Sequence, residues 1–355
     1  MAILTEPNLS GRGKREDLAD MISMVDAKDT PFTSMARKGS KPGNMYFRWQ
    51  ADSNPAPKIG GTVDGTDVQS TDYVNYDVGF RAELANYAQV FRMDPVRVSK
   101  LSTDIAQVAG VRDELAYNVS KSILRCKRSI ETTLCSNQVA QQDNGSVPYL
   151  TAGIQTWIST AGTGTPTPGD IPSIFRTPTD SILTGASSAM TDTAVQGLLK
   201  SIYNQTGQYR SYDAIVGTDL KRAFTGLLGT TALTSLATTS TAGVTGAGAT
   251  RVQTFQRDAS AEAYIQSVDV FQGDFGTVKL HPTVFLGTVA SNVWTVTPYK
   301  GLVLNMDLIE VRYGGNVAAV QALPDYGAGQ SRLVEAVCGL VVGNPLGLGK
   351  FDFSS

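Results

Sequence analysis

The order of elements in the first 137 residues constrains this chain more than any other feature. A charged arm, residues 1–44, is punctuated by Pro7, Pro31 and Pro42. It leads into the alternating run Met45-Tyr-Phe-Arg-Trp-Gln-Ala-Asp52, with Met45, Phe47 and Trp49 on one face and Tyr46, Arg48 and Gln50 on the other. Residues 53–72 hold two Pro, three Gly and four Asp/Asn with almost no apolar side chains, which predicts the tip of an extended hairpin. Residues 73–93 return as strand, and one long amphipathic helix follows. An arm, an excursion and a long helix have too few converging apolar faces to close a core by themselves. Other copies of the chain would supply the missing contacts, so the pattern points to a building block of an assembly rather than to a catalyst.

The helix is predicted over 111–137, roughly 40 Å long. Val111, Leu115, Val119, Ile123, Cys126, Ile130 and Leu134 recur every three or four residues and form one stripe. The opposite face carries Arg112, Lys121, Arg125, Lys127 and Arg128, and Glu131 is expected to pair there with Arg128 or Lys127. Upstream, residues 16–26 have the composition of a short helix, stopped at Asp29-Thr30-Pro31-Phe32 because the residue before proline leaves the α region.

Downstream, residues 141–190 read as an irregular region or an insertion. Asp192 is the expected N-cap of a helix bearing Val195, Leu198, Leu199, Ile202 and Tyr203, ended by Gly207. Tyr212–Val216 then reads as strand and Leu220–Leu228 as helix, a small α/β unit. Residues 229–250 are Thr/Ala/Gly/Ser low complexity. From Ser267 the pattern is β, with strands expected at Val268–Phe271, Thr277–His281, Val293–Thr297, Leu308–Tyr313 and Leu333–Val342.

Charged residues make up only 17% of the 355, below the usual quarter. Few charges and many small polar residues suit surfaces that pack on other protein. With a net charge of −2, the whole chain is not a nucleic-acid binder by bulk electrostatics. The arm leans the other way: residues 1–50 hold eight Lys/Arg against six Asp/Glu, with Arg12, Lys14 and Arg15 together. These three are the candidates for a polyanion contact, against the plainer reading of a solvated arm. Three cysteines, Cys126, Cys135 and Cys338, form no C-x-x-C pair, and the nine residues between the first two, roughly 13 Å of helix, are too far for a disulfide. The N-terminus has no apolar stretch of signal-peptide type, and no run of about 18 apolar residues occurs.

The search for chemistry finds no site. The single histidine, His281, cannot build a His-rich zinc centre, and no G-x-S-x-G elbow occurs. Gly343-Asn-Pro-Leu-Gly-Leu-Gly349-Lys350-Phe351 has the wrong spacing for a phosphate loop, and Phe351 stands where a hydroxyl is needed, so it reads as a C-terminal turn. Asp113 and Glu114 diverge on the helix and suit no joint acid/base work. Asp17, Asp20, Asp26 and Asp29 match no calcium loop. No catalytic residue, metal or cofactor is expected.

Five segments together resemble the major capsid proteins of tailed bacteriophages with the Hong Kong 97-type fold: Asp26-Ala-Lys-Asp-Thr-Pro-Phe32, Tyr46-Phe-Arg-Trp-Gln-Ala-Asp52, Cys126-Lys-Arg-Ser-Ile-Glu131, Val268-Asp-Val-Phe-Gln-Gly-Asp-Phe-Gly276 and Gly343-Asn-Pro-Leu-Gly347. The resemblance implies an α+β fold. Residues 1–44 would be an N-terminal arm lying across a neighbouring subunit, and 45–95 an extended β-hairpin loop over the adjacent one. Residues 96–190 would hold the peripheral domain with its spine helix, 191–266 the axial domain, and 267–355 a β-rich part shared between the two. It implies an icosahedral shell of hexamers and pentamers around double-stranded DNA, assembled in the host cytoplasm, with a portal and a possible decoration protein as partners. An arm that begins almost at Met1 implies a separate scaffolding protein. One member of the fold crosslinks its subunits, and Lys58 is the lysine placed for that role. The alternatives are a tail, decoration or adhesin-type β protein, or an enzyme with an unrecognised site.

Overall fold

The computed structural model describes residues 28–74, 81–104, 111, 113–161, 171–186, 190–227, 268–290, 293–324, 327 and 329–354. The expected helix at 16–26 and the low-complexity tract at 229–250 lie outside them.

Described in chain order, a short helix α1 (Pro31–Met35) opens at a proline, whose missing N–H is no loss at a helix start. Strand β1 (Arg37–Gly39) follows. β2 (Tyr46–Asp52) and β3 (Arg81–Tyr87) form the expected antiparallel hairpin, with Tyr46 opposite Tyr87 and Asp52 opposite Arg81. β4 (Gln89–Arg92) and β5 (Val96–Arg97) leave that hairpin for a different sheet. α2 (Lys100–Asp104) precedes the long helix α3 (Glu114–Leu134), which is 21 residues and about 31 Å long. α3 starts three residues later than the stripe predicts because Asp113 caps it, accepting from the Ala116 N–H at 3.1 Å.

After α4 (Ile154–Trp157) and β6 (Ile182–Ala186) comes α5 (Asp192–Thr206). Its cap is Thr191 rather than Asp192, and Gly207 ends it at φ +64° in the left-handed region as expected. β7 (Arg210–Val216) leads into helix α6, residues 218–227. The remainder is β: β8 (Val270–Gly273), β9 (Gly276–Pro282), β10 (Gly287–Ala290), β11 (Val293–Val296), β12 (Lys300–Leu304), β13 (Ile309–Tyr313), β14 (Ala319–Ala322), β15 (Ser331–Val342) and β16 (Gly349–Ser354).

Two six-stranded sheets organise these elements. In the first, β15 is central: β13 and β14 pair along one edge, β4 and β5 along the other, and β1 adds in parallel outside β13. In the second the order is β6-β16-β12-β7-β9-β8. β7 turns Tyr212, Ala214 and Val216 toward α5 and α6, where Val195, Leu198, Leu199, Ile202 and Phe224 meet them. Its Ile215, with Leu302 and Leu304 of β12, faces the larger core beneath α3. Strands covered on both faces read as continuous apolar runs, not alternating ones.

Two sequence expectations are corrected. The described part of 141–190 is not a loose insertion: Ile154, Trp157, Ile158, Ile171 and Phe175 are all at most 1% exposed and belong to the main core. Side-chain amides pin this stretch. Gln155 Nε2 donates to the Cys135 and Gly287 carbonyls, and Gln138 Nε2 donates to the Thr151 carbonyl. Likewise, Gly343–Phe351 is not only a turn, because β16 supplies a strand between β6 and β12, with Phe351 and Phe353 buried.

Glu131 is the third correction. It pairs with neither Arg128 nor Lys127 on the solvent face; it is fully buried, accepting from the Phe32 N–H at 2.7 Å and the Thr33 N–H at 2.8 Å. The carboxylate thus satisfies two orphan donors of α1 and ties the root of the arm to α3. Burial holds its carboxyl above the ordinary range, and the hydrogen bonds from Thr33 and Phe32 oppose that rise without cancelling it.

Replacing Glu131 by Ala should cost about 2–5 kcal/mol, read from denaturant midpoints, because two buried N–H groups lose their acceptor. The pH dependence has a definite sign. The folded state holds this proton more tightly than the unfolded chain, whose reference value is 4.5. Its contribution is complete below that value and declines as pH rises through the folded one. The stability difference between wild type and Glu131→Gln should therefore shift against wild type over that rise, measured by urea titration at a series of pH values.

Candidate inter-subunit surfaces

The hairpin β2–β3 is anchored at one end and bare at the other. Phe47, Trp49 and Ala51 alternate inward along β2, as the sequence predicts, whereas Met45 stays exposed. The Trp49 indole N–H donates to the Val342 carbonyl at 2.8 Å, and its ring lies 5.4 Å from that of Trp157. Asn86 of β3 is fully buried; its amide donates to the Leu340 carbonyl while its oxygen accepts from the Tyr87 and Ala152 N–H groups. Phe47 crosses β15 at Gly339, where an added Cβ would stand 2.7 Å from the ring. A side chain at that crossing would push the Phe47 ring aside.

The ion pairs Arg81–Asp52 (3.1 Å) and Arg48–Glu83 (3.1 Å) tie the two strands toward their outer end, and both are largely exposed. Residues 56–74 are exposed throughout, and so is their apolar content: Ile59 is 96%, Val63 79% and Tyr73 77% accessible. Gly65, at φ +79°, turns the tip. Lys58 sits in this loop, exposed.

A second surface lies along α3. Only its C-terminal half is packed deeply, through Cys126, Ile130, Glu131 and Leu134. On the outer side, Lys121, Arg125 and Arg128 face Asp94 and Arg97 across a groove of about 510 Å³, floored by Pro95, Val96 and Leu124. Arg125 meets Asp94 at 2.6 Å. The basic helix face of the sequence is thus half of a concave site. β5, the other half, is two residues long and has no periodicity to reveal it.

Arg12, Lys14 and Arg15 lie outside the described residues. Asp17, Asp20 and Asp26 do so as well. Among the described residues, no group of three His, Cys, Asp or Glu side chains is placed to hold a metal ion, and no helix is long and apolar enough to cross a membrane. His281 Nε2 lies 3.1 Å from Asp213 Oδ1. Cys126, Cys135 and Cys338 are free and buried, and burial pushes all three thiols up, away from the reactive thiolate.

A family model described as SU10 major capsid protein matches residues 5–353. The major capsid protein of Escherichia phage Phieco32 is 32% identical over 141 residues, which is 39% of this chain and 37% of that protein. The match therefore spans about a third of the curated relative's length. Among solved structures, the cyanophage A-1(L) capsid asymmetric unit superposes with a TM-score of 0.63 at 12% identity, covering 98% of this chain and 99% of that one. The capsid of cyanophage P-SCSP1u gives 0.59 at 9% identity, over 96% and 93%. At these identities the superpositions report the fold, which is the Hong Kong 97-type expected from the sequence.

Gly339→Val should drive Phe47 off β15 and lower stability by about 1–3 kcal/mol. The measurement is a thermal or urea transition, with Trp49 fluorescence reporting the loosened hairpin root.

Proposed function

The chain belongs to the SU10 major capsid protein family, and from that premise we propose that it is the structural subunit of an icosahedral phage shell. The observation that carries this reading is the loop at 56–74: exposed apolar side chains held out from a rigid hairpin root, with no surface among the described residues covering them. A closed shell supplies such a surface on every neighbour by symmetry. Hexamers and pentamers of this one chain would bury the loop of each subunit on the next.

In this reading the sheet around β15 with α3 is the peripheral domain, and the sheet around β7 with α5 and α6 is the axial domain, meeting its copies around the capsomer axis. The shell encloses packaged double-stranded DNA, and a separate scaffolding protein, a portal and a decoration protein complete the list of partners. Arg12, Lys14 and Arg15 are proposed as DNA-facing or inter-subunit contacts, and Lys58 as an inter-subunit contact on the loop. The role proposed for the subunit is structural.

Negative-stain electron microscopy of the purified chain, alone and co-expressed with its neighbouring genes, tests this directly. Closed polyhedral shells or ring-shaped capsomers are expected; small discrete monomers or trimers under both conditions would overturn it. Deleting residues 54–68 should leave the thermal transition nearly unchanged, since those residues contribute no core contact, yet abolish stable shells. Deleting residues 1–25 should do the same through the arm. Normal shells from both deletions would remove the clamp role from these segments.

A further inference from the structure

A second kind of chemistry lies in the loop between Gln141 and Leu150, which bridge one another in antiparallel pairing. The loop holds Asn144-Gly145, and no other Asn-Gly pair occurs in the sequence. The pair suits a turn, and Gly145 takes φ +85°, a left-handed conformation that glycine adopts without strain. Residues 143–146 are all exposed. Three hydrogen bonds organise them. Asp143 Oδ1 accepts from the Gly145 N–H at 2.7 Å. Asn144 Oδ1 accepts from the Ser146 N–H at 3.0 Å and from the Val147 N–H at 2.9 Å. Two backbone donors converging on one atom identify it as the amide oxygen, so Nδ2 takes the other branch.

Each contact has a counterpart in acyl transfer. The Gly145 nitrogen is the next backbone nitrogen after the Asn144 side chain, and its attack on Cγ closes a succinimide ring. The Asp143 carboxylate on its N–H is a positioned base. The Ser146 and Val147 N–H groups meet the oxygen on which negative charge would develop. Glycine leaves the nucleophile uncrowded, since even a Cβ built there would meet nothing within 4 Å. We propose that Asn144 is a self-modification site, whose amide the folded turn 143–147 converts through a succinimide to aspartate or isoaspartate. The Gly145 nitrogen bonds to Cγ as its proton passes to Asp143. The oxyanion is held by Ser146 and Val147 and then collapses. The Cγ–Nδ2 bond breaks, and Nδ2 leaves as ammonia, taking the proton back from Asp143. Water opens either carbonyl of the ring. A neutral side chain thus becomes a carboxylate, adding one negative charge to a chain of net −2. The isoaspartate product also carries an extra backbone methylene into a turn closed by the Asn144 N–H on the Val147 carbonyl at 3.3 Å. The reaction needs one folded chain and no shell.

Incubation of the full-length chain in warm neutral buffer, followed by peptide mass mapping and enzymatic isoaspartate methylation, tests it. A parallel sample in urea keeps the sequence and loses the contacts. Product at Asn144 should accumulate about tenfold faster in the folded chain, less than the hundredfold or more of an enclosed base because the turn is exposed. Asp143→Asn should remove that advantage and leave the rate in urea unchanged. Asp143→Ala is a second removal of the base, and an unaltered thermal transition shows that either variant is folded. No product at Asn144, a rate in urea equal to or above the folded rate, or folded Asp143 variants that react as fast as wild type would each overturn the assignment.

Discussion

Strand β15 has both edges and both faces in use, and the rest of the chain is arranged around that demand. Val334, Ala336, Cys338, Leu340 and Val342 turn one way, into the core beneath α3. Val337, Gly339 and Val341 turn the other way, toward Phe47 and the hairpin root. β13 and β14 take one edge, β4 and β5 the other. A strand used on four sides cannot slip by one residue without exchanging its two apolar sets. Its register therefore fixes where α3 lies, where the hairpin leaves the body and which way the loop projects.

Buried polar groups complete what packing begins. Asn86 spends its donor and its acceptor oxygen on three backbone groups, two of them from other segments, and Glu131 spends two oxygens on the turn that begins α1. Each is expensive to bury and inexpensive once satisfied. They lie where an appendage joins the body, Asn86 at the hairpin and Glu131 at the arm, so both extensions start from defined points. A subunit that reaches its neighbours through long appendages needs rigid roots, since an error in angle at the root grows with distance.

The site legible in the sequence was the loop, because an absence is easy to read: a stretch of Gly, Pro and Asp between two alternating runs has nothing to pack against. The basic stripe of α3 was equally visible, but as a face. It became a groove only when Asp94, Pro95, Val96 and Arg97 folded back against it, a contact between residues some thirty positions apart that no period encodes. The buried carboxylate was misread for a related reason. Glu131 lies one position from Ile130 on the stripe and three from Arg128, and helix periodicity alone assigns it to the charged side. Its partners are backbone amides 98 and 99 residues away, which carry no sequence signature.

Local patterns determined the hairpin, α3, α5 with its Gly207 stop, the helix–strand–helix unit and most of the C-terminal strands, because periodicity and capping depend only on near neighbours. The sequence by itself also raised the expectation of an assembly, from an arm, an excursion and a long helix with few converging apolar faces. Tertiary structure decided what depends on distant partners. It drew residues 171–186 into the body, made β16 an internal strand rather than a turn, and paired β1 with β13 in parallel. The physical reason is common to all three: short strands and irregular segments gain their stability from burial against residues far along the chain, and burial leaves no local period to read.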